Sequence, residues 1–405
     1  MWTFRPADRR FAQVETLVVK VTNRCNLDCL YCYENIQKKG QDMPLALFAH
    51  LAEAVCAQSR SPKITFLFHG GEPGLLSNDW YEAALAAACQ QGQKHQKQVY
   101  FSIQTNLQHL SAAKIALYQK HRFQIGISLD GLLDPQQSWR GPESKVLQNY
   151  QKLKAAGLQV GVLSTIHTQN FDKFPEICRF LHQEMGLSGF KANMMLPVGQ
   201  GKQLAVLPPE AVFQAQVAIL HYMMESEGQF MEYNLQLELE RYFGRAKPTP
   251  TLCHEQQCGA GSRVLGISPQ GDLLPCGRFQ WNDQAYFLGH LKDPIQAVSQ
   301  KAFARARQQF LARVPENWLD CPTCPAKKIC RFGCQAFILR SSAQVNLECK
   351  PTKMRYQFFQ ENEADLQKLL ERGRLQKQSS RQFRIKDKKG QVRTYSLPGS
   401  SVQKM

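Results

Sequence analysis

Six short runs rich in β-branched and aromatic residues alternate with longer helical patterns through the first half of the chain, and this alternation constrains the fold more than any other feature. The strand-like runs are Leu17–Val21, Lys63–Phe68, Val99–Gln104, Gln124–Leu129, Gln159–Thr165 and Gly189–Met194. Helical spacing follows each in turn, at Leu45–Ser59, Trp80–Gln91, Ala112–His121, Lys145–Ala156, Phe174–Met185 and Pro209–Glu225. Parallel strands need long crossover connections, usually helices, so successive β–α units predict a parallel sheet with helices outside it. With curvature this is an α/β fold, an open (β/α)6 partial barrel of TIM type, whose chemistry belongs at the C-terminal ends of the strands.

The 405 residues exceed what such a barrel needs. A helical stretch at Gln236–Phe243 runs into Lys247-Pro248-Thr249-Pro250-Thr251, whose two prolines make a stiff break. The expected organisation is a barrel over 1–230, a helical linker over 231–251, a cysteine-rich module over 252–351, and a closing helix (Tyr356–Glu371) with a basic tail over 352–405. Within the module, Val264–Ile267 and Leu273–Pro275 flank a Ser-Pro-Gln-Gly-Asp turn and read as a hairpin. A second hairpin is expected in the tail, from Gln382–Asp387 and Val392–Leu397.

A hydrophobic content of 43% excludes a disordered chain. No run approaches the roughly eighteen apolar residues of a membrane span, and Met1 to Arg10 lacks the apolar segment of an export signal. The expected location is the cytoplasm. In that reducing compartment, fourteen cysteines point to metal ligation or redox chemistry rather than to disulfides.

The loop after the first strand reads Cys25-Asn26-Leu27-Asp28-Cys29-Leu30-Tyr31-Cys32. Thiolates in C-x3-C-x2-C spacing can converge on one iron–sulfur cubane and leave its fourth iron without a protein ligand, open to a chelating small molecule. The alternative is a zinc site completed by a ligand from elsewhere. This motif, with an aromatic residue directly before its third cysteine, resembles the signature of the radical S-adenosylmethionine (SAM) superfamily. Further strand ends carry the same resemblance. Gly70-Gly71-Glu72-Pro73 follows the second strand, Gln104-Thr105-Asn106 ends the third, and Ser128-Leu129-Asp130-Gly131 ends the fourth, with Arg140 beyond it. The resemblance implies a [4Fe–4S] cluster on Cys25, Cys29 and Cys32. It also implies S-adenosylmethionine contacts from Tyr31, Gly70, Gly71, Glu72, Gln104, Asn106, Ser128, Asp130, Arg140 and, after the sixth strand, Leu196.

Eight further cysteines form a second constellation, Cys253-x4-Cys258-x17-Cys276 and Cys321-x2-Cys324-x5-Cys330-x3-Cys334-x14-Cys349. Spacing alone leaves zinc and iron–sulfur clusters both open. The pattern resembles the SPASM extension of radical SAM enzymes. That resemblance implies one auxiliary [4Fe–4S] cluster on Cys253, Cys258, Cys276 and Cys334 and another on Cys321, Cys324, Cys330 and Cys349, three clusters in all.

SPASM enzymes mostly act on peptides or proteins. Two groups fit: anaerobic sulfatase maturases, and maturases of ribosomally made peptides. In the former an aspartate follows the cysteine matching Cys276; here Pro275-Cys276-Gly277-Arg278 places glycine there. The expectation is therefore a peptide maturase that forms a carbon–carbon or thioether crosslink on a precursor peptide, with formylglycine formation as the alternative. Implied partners are that peptide with its leader segment and an electron donor of flavodoxin or ferredoxin type.

The net charge of +17 is uneven: Arg372 to Met405 carries ten Lys or Arg against one acidic residue, Asp387. A nucleic-acid-binding or modifying protein is the rival reading from another class, although aromatic residues suited to stacking are sparse in the tail. No recognition domain precedes the barrel in this sequence, so leader binding is assigned to the tail, whose bland reading is a solvated basic end. Cys56, Cys89 and Cys178 read as small buried hydrophobes and Met194 and Met195 as core filler. Among the histidines only His69, beside Gly70, is placed near the chemistry, as a wall of the cofactor site.

Overall fold

The computed structural model describes residues 10–34, 36, 40–131, 138–245, 258–280, 283–292, 305–308, 321–330, 333–340, 346–379, 382–386 and 392–396. Six parallel strands form as expected: β1 (Thr16–Thr22), β2 (Lys63–Gly70), β3 (Gln98–Thr105), β4 (Gln124–Ser128), β5 (Val160–Ile166) and β6 (Gly189–Met194). The crossovers are α1 (Leu45–Gln58), α2 (Asn78–Lys94), α3 (Ala112–Lys120), α4 (Ser144–Ala155) and α5 (Phe174–Arg179), which continues as a π turn over Phe180–Glu184, and α6 (Pro209–Glu225) follows β6. Hydroxyl caps start two of them: Ser77 accepts from Trp80 N, and Ser111 from Lys114 N.

Packing of the helices on the sheet rests on rings. Phe48 of α1, Phe66 and Phe68 of β2, Phe101 of β3, Phe123 before β4, and Tyr81 of α2 lie with centroids 5.2–6.3 Å apart and are all buried. Cys56 and Cys178 are buried in this core, but Cys89 is exposed. The apolar stripe of α2 runs through Tyr81, Ala84, Leu85 and Ala88, and one further residue turns the chain about 100° toward solvent.

The sheet is larger than the six expected strands. Beyond β6, a short β7 (Met231–Glu232) pairs in parallel and leads into α7 (Tyr233–Tyr242). The segment expected to be a linker thus begins inside the barrel sheet. The buried Glu232 carboxylate fastens it, accepting from Ala192 N at 2.8 Å and Leu235 N at 2.7 Å. At the other edge, β8 (Val264–Ile267) pairs in parallel with β1, and β9 (Asp272–Leu274) and β10 (Gly289–His290) continue antiparallel. The expected hairpin exists and extends the barrel sheet into one ten-stranded order, β10-β9-β8-β1-β2-β3-β4-β5-β6-β7. β1 is therefore central, and every residue from Leu17 to Thr22 is buried.

After the short helix α8 (Gln335–Arg340), the closing helix differs from expectation: it is two helices, α9 (Cys349–Glu361) and α10 (Glu363–Ser379). Asn362 breaks it, because its side-chain amide donates to the Phe358 carbonyl at 2.9 Å and its backbone leaves the helical region. The tail hairpin forms as β11 (Gln382–Lys386) and β12 (Val392–Ser396). Among the described residues, no helix is long and apolar enough to cross a membrane.

Candidate active site

The cysteine loop leaves β1 and is held from two sides. Thr22 Oγ1 donates to Asp42 Oδ1 at 2.6 Å, and Arg24 Nε reaches the same oxygen at 2.9 Å. From β2, Gly71 N donates to Thr22 O at 2.8 Å and Glu72 N to Arg24 O at 2.7 Å. Gly71 lies so close that a Cβ would collide with the Arg24 carbonyl, so the Gly-Gly pair serves approach to this loop. From the other side, Gln200 N, just past β6, donates to Cys32 O at 2.9 Å.

Within the clamp, Cys29 is buried and Cys25 and Cys32 half-buried. Burial is the first cause of their raised thiol pKa values, about 11 for Cys25 and about 12 for Cys32; the neighbouring thiols add to the rise. Such thiols ionise only when a metal compensates the lost solvation. Leu27 N lies 3.4 Å and Asn106 Nδ2 3.7 Å from Cys25 Sγ, donors suited to a thiolate. Among the described residues no three His, Cys, Asp or Glu groups converge as ligands of a single ion do. Three thiols in C-x3-C-x2-C spacing are the kind of donor set by which proteins hold iron–sulfur clusters.

The proposed cofactor contacts collect at the adjoining strand ends. Gln104 Nε2 donates to Ser128 Oγ at 2.9 Å, linking β3 to β4. Glu72 is buried and already engaged, accepting from Gly74 N, Thr105 Oγ1 and Asn106 N at 2.6–2.7 Å, so it joins β2 to β3. Asp130, fully buried, accepts from Thr165 N at 3.0 Å and from the Tyr31 hydroxyl. Burial would raise its pKa, but Arg140, whose Nε stands 3.7 Å away, with His167 and Tyr31, turns the net shift downward. Arg140 Nη1 lies 3.9 Å from Cys29 Sγ. Leu196 is buried and packs with Val198 and Phe337.

Several residues here escaped the sequence reading. His167, one residue beyond β5, is buried 3.7 Å from Asp130 Oδ2 and stacks on Trp139 with centroids 4.6 Å apart. Glu143 accepts from Asp130 N and Gly131 N at 2.8 and 3.1 Å; burial, with the Asp130 charge beside it, pushes its pKa to about 8. His167 was findable, since it occupies a strand C-terminus as the motif residues do. Glu143 carried no such signal. Deeper in the barrel, Lys20 Nζ pairs with Glu34 Oε2 at 3.0 Å and donates to Phe279 O at 2.6 Å, and His69 Nδ1 stands 3.7 Å from Glu34 Oε1.

In the cysteine-rich region, Cys258, Cys276 and Cys334 pack around one small core of Ala260, Leu274, Phe279 and Ala336. Arg278 Nη1 donates to Cys334 Sγ at 3.3 Å. Cys253, the fourth residue assigned to that group, lies outside the described residues. Cys321, Cys324 and Cys330 bracket one 3₁₀ turn, Pro325–Lys328, against which α9, opened by Cys349, packs. Gly277 presses on β1: a Cβ there would run into Val18 Cγ1 and lie 3.0 Å from Val18 Cβ.

Residues 19–181 match the Radical SAM superfamily. Over 338 residues, 78% of each chain, the protein is 25% identical to a serine-type anaerobic sulfatase-maturating enzyme of Klebsiella aerogenes. Its fold is similar to that of anSMEcpe, solved with AdoMet and a Cp18Cys peptide (TM-score 0.71, 18% identity, covering 88% of this chain and 98% of that one). It is also similar to Streptococcus suis SuiB bound to its precursor peptide SuiA (TM-score 0.59, 15% identity, covering 83% and 74%). The segment from 19 to 181 is a radical SAM domain and the protein an enzyme.

Proposed function

We propose that this radical SAM enzyme is a maturase of ribosomally made peptides, forming a carbon–carbon or thioether crosslink in its substrate. The domain implies a [4Fe–4S] cluster and S-adenosylmethionine. Bound there, they would supply one-electron radical chemistry, reductive cleavage of the cofactor for hydrogen abstraction from the substrate. The protein's own residues hold and orient. Cys25, Cys29 and Cys32 would ligate the cluster, with Asn106 and Leu27 donating toward Cys25 Sγ. Arg140, beside Cys29, would hold the cofactor carboxylate, and the linked pair Gln104 and Ser128 would line its ribose side. The shared packing of Cys258, Cys276 and Cys334 supports an auxiliary cluster there, with a second on Cys321, Cys324, Cys330 and Cys349. The electron donor is of flavodoxin or ferredoxin type.

One observation carries the choice of reaction. The relatives' names favour formylglycine formation, yet glycine stands at 277 where those enzymes carry an aspartate, and a side chain there would have to displace Val18. Anaerobic co-expression with each small open reading frame beside the gene, followed by tandem mass spectrometry, tests the reading. A peptide two mass units lighter, resistant to hydrazide labelling and linked between side chains, is expected. A hydrazide-reactive aldehyde at a former Ser or Cys would instead establish a sulfatase maturase.

A further inference from the structure

The turn that follows β9 carries Cys276 and is fixed at several points. Phe279 N donates back to Cys276 O at 3.2 Å, and Gly277 presses on Val18, so the Arg278 side chain leaves from a defined place. The Arg278 carbonyl is held as well: it accepts from Arg340 Nη1 at 2.6 Å, and Arg340 Nε stands 2.8 Å from Asp283 Oδ2. From this anchored turn Arg278 Nη1 reaches a residue 56 positions away, donating to Cys334 Sγ at 3.3 Å.

Cys276 and Cys334 belong to one proposed ligand set, and with Cys258 they pack against Ala260, Leu274, Phe279 and Ala336. Cys334 also packs, together with Tyr33, against Leu196, Val198 and Phe337. Tyr33 directly follows Cys32, so the sulfur that Arg278 touches belongs to a cysteine that shares a core with the radical SAM loop. A guanidinium stays charged at any working pH and only donates. Adding an electron to a cluster raises the negative charge on its sulfurs, so a cationic N–H donor stabilises the reduced form more than the oxidised one and lifts the potential. Both residues are half-buried, which limits screening of that interaction by water.

We infer that Arg278, acting through Cys334, sets the reduction potential of the auxiliary cluster on this ligand set and holds it high enough for the cluster to accept an electron. The need for an acceptor follows from the crosslink. Two hydrogens leave the substrate, one as an atom in the radical step. The second leaves as a proton, released to water, and an electron, which reduces the oxidised auxiliary cluster by one as the new bond closes. The inference rests on the maturase reading and its auxiliary cluster, and names the residue that tunes that cluster.

The test is an anaerobic redox titration of the cluster-loaded enzyme, with each cluster followed through the electron paramagnetic resonance of its reduced form. In Arg278→Met one auxiliary wave should fall at least ten-fold in its reduction equilibrium, about 59 mV for a one-electron couple, while the other waves stay in place. Arg278→Lys keeps the charge but not the planar fork, and a fall of about three-fold is expected. Iron, sulfide and circular dichroism are measured on every sample, and if Arg278→Met loses iron, the potential of Arg278→Lys decides. A purely structural role would change iron content or thermal stability without moving the potential of loaded clusters. About twelve iron with no lowered wave in either variant overturns the proposal and leaves the clusters standing. Loss of the cluster in both variants assigns Arg278 to assembly and overturns it as well. Zinc with only about four iron in the unsubstituted enzyme refutes the auxiliary cluster and the proposal with it. No peptide enters the titration, so failure to find a crosslinked product on co-expression would refute the maturase reading separately.

Discussion

Lys20 joins the first strand of the barrel to the carbonyl of Phe279, 2.6 Å away, while pairing with Glu34 at 3.0 Å. Gln280 Nε2 adds a 2.8 Å bond to the same Glu34 oxygen. The loop bearing Cys32 and the segment following Cys276 are thereby fastened to one buried ammonium. Removing one partner of a buried pair costs about 3–5 kcal/mol, because the other charge is stranded. Lys20→Met should lower the unfolding midpoint sharply, and Lys20→Met/Glu34→Gln should recover much of it. A double variant no more stable than the single one would show that Lys20 acts through packing alone.

Metal content follows from the cysteine assignments. Anaerobically prepared enzyme should hold about twelve iron and twelve sulfide per chain if three cubanes are present. Joint replacement of Cys25, Cys29 and Cys32 by Ala should leave about eight iron and abolish S-adenosylmethionine cleavage. Two equivalents of zinc with only about four iron would refute the auxiliary clusters.

Arg140 stands 3.7 Å from Asp130 and beside Cys29 Sγ. Arg140→Ala should weaken S-adenosylmethionine binding by at least ten-fold, measured by equilibrium dialysis, with iron content retained, since a charge-assisted contact is lost. Arg140→Lys keeps the charge without the fork and should recover only part of the affinity. Unchanged affinity in Arg140→Ala would remove Arg140 from the cofactor site.

The contact between Gly277 and Val18 makes an aspartate at 277 costly. Gly277→Asp should destabilise by about 1–3 kcal/mol through overpacking. Thermal melts should show the loss and its partial recovery in Val18→Ala/Gly277→Asp, where the methyl groups that block the new Cβ are gone. A fully stable single variant would mean that β1 yields at this point.

Lys114 of α3 is buried, donates to Leu76 O at 2.7 Å and lies over the Tyr81 ring. Burial lowers its pKa to about 8. The folded state therefore releases a proton that the unfolded chain keeps until about 10.4, so stability should rise as pH goes from about 8 to about 10.4. The gap corresponds to about 3 kcal/mol at most. Denaturant titrations across that window should show the gain, and Lys114→Met should remove it.

Much of this was legible in one dimension. A strand's period of two, a helix's period near 3.6 and the spacing of cysteines are local properties, so the order of six β–α units, the open barrel and the three-cysteine loop could be read from the residues themselves. Asn362 shows where local reading ends: its helical neighbours hid a side chain that competes for the Phe358 carbonyl.

Partnership over long separations was decided only by the tertiary structure. Lys20 and Phe279 are 259 positions apart, and nothing in either segment announces the other. β8 reads as half of a hairpin, yet its outer edge completes the barrel sheet against β1. The glycine at 277 appeared in the sequence as a missing base; the fold sets it against Val18, so that a side chain there would collide. Nearest neighbours and spacing were enough to reveal the six β–α units and the position of the three-cysteine loop, but not the short strands added at both edges or the break at Asn362. Folding determined which buried charges meet, because burial and partner geometry exist only once distant strands are side by side.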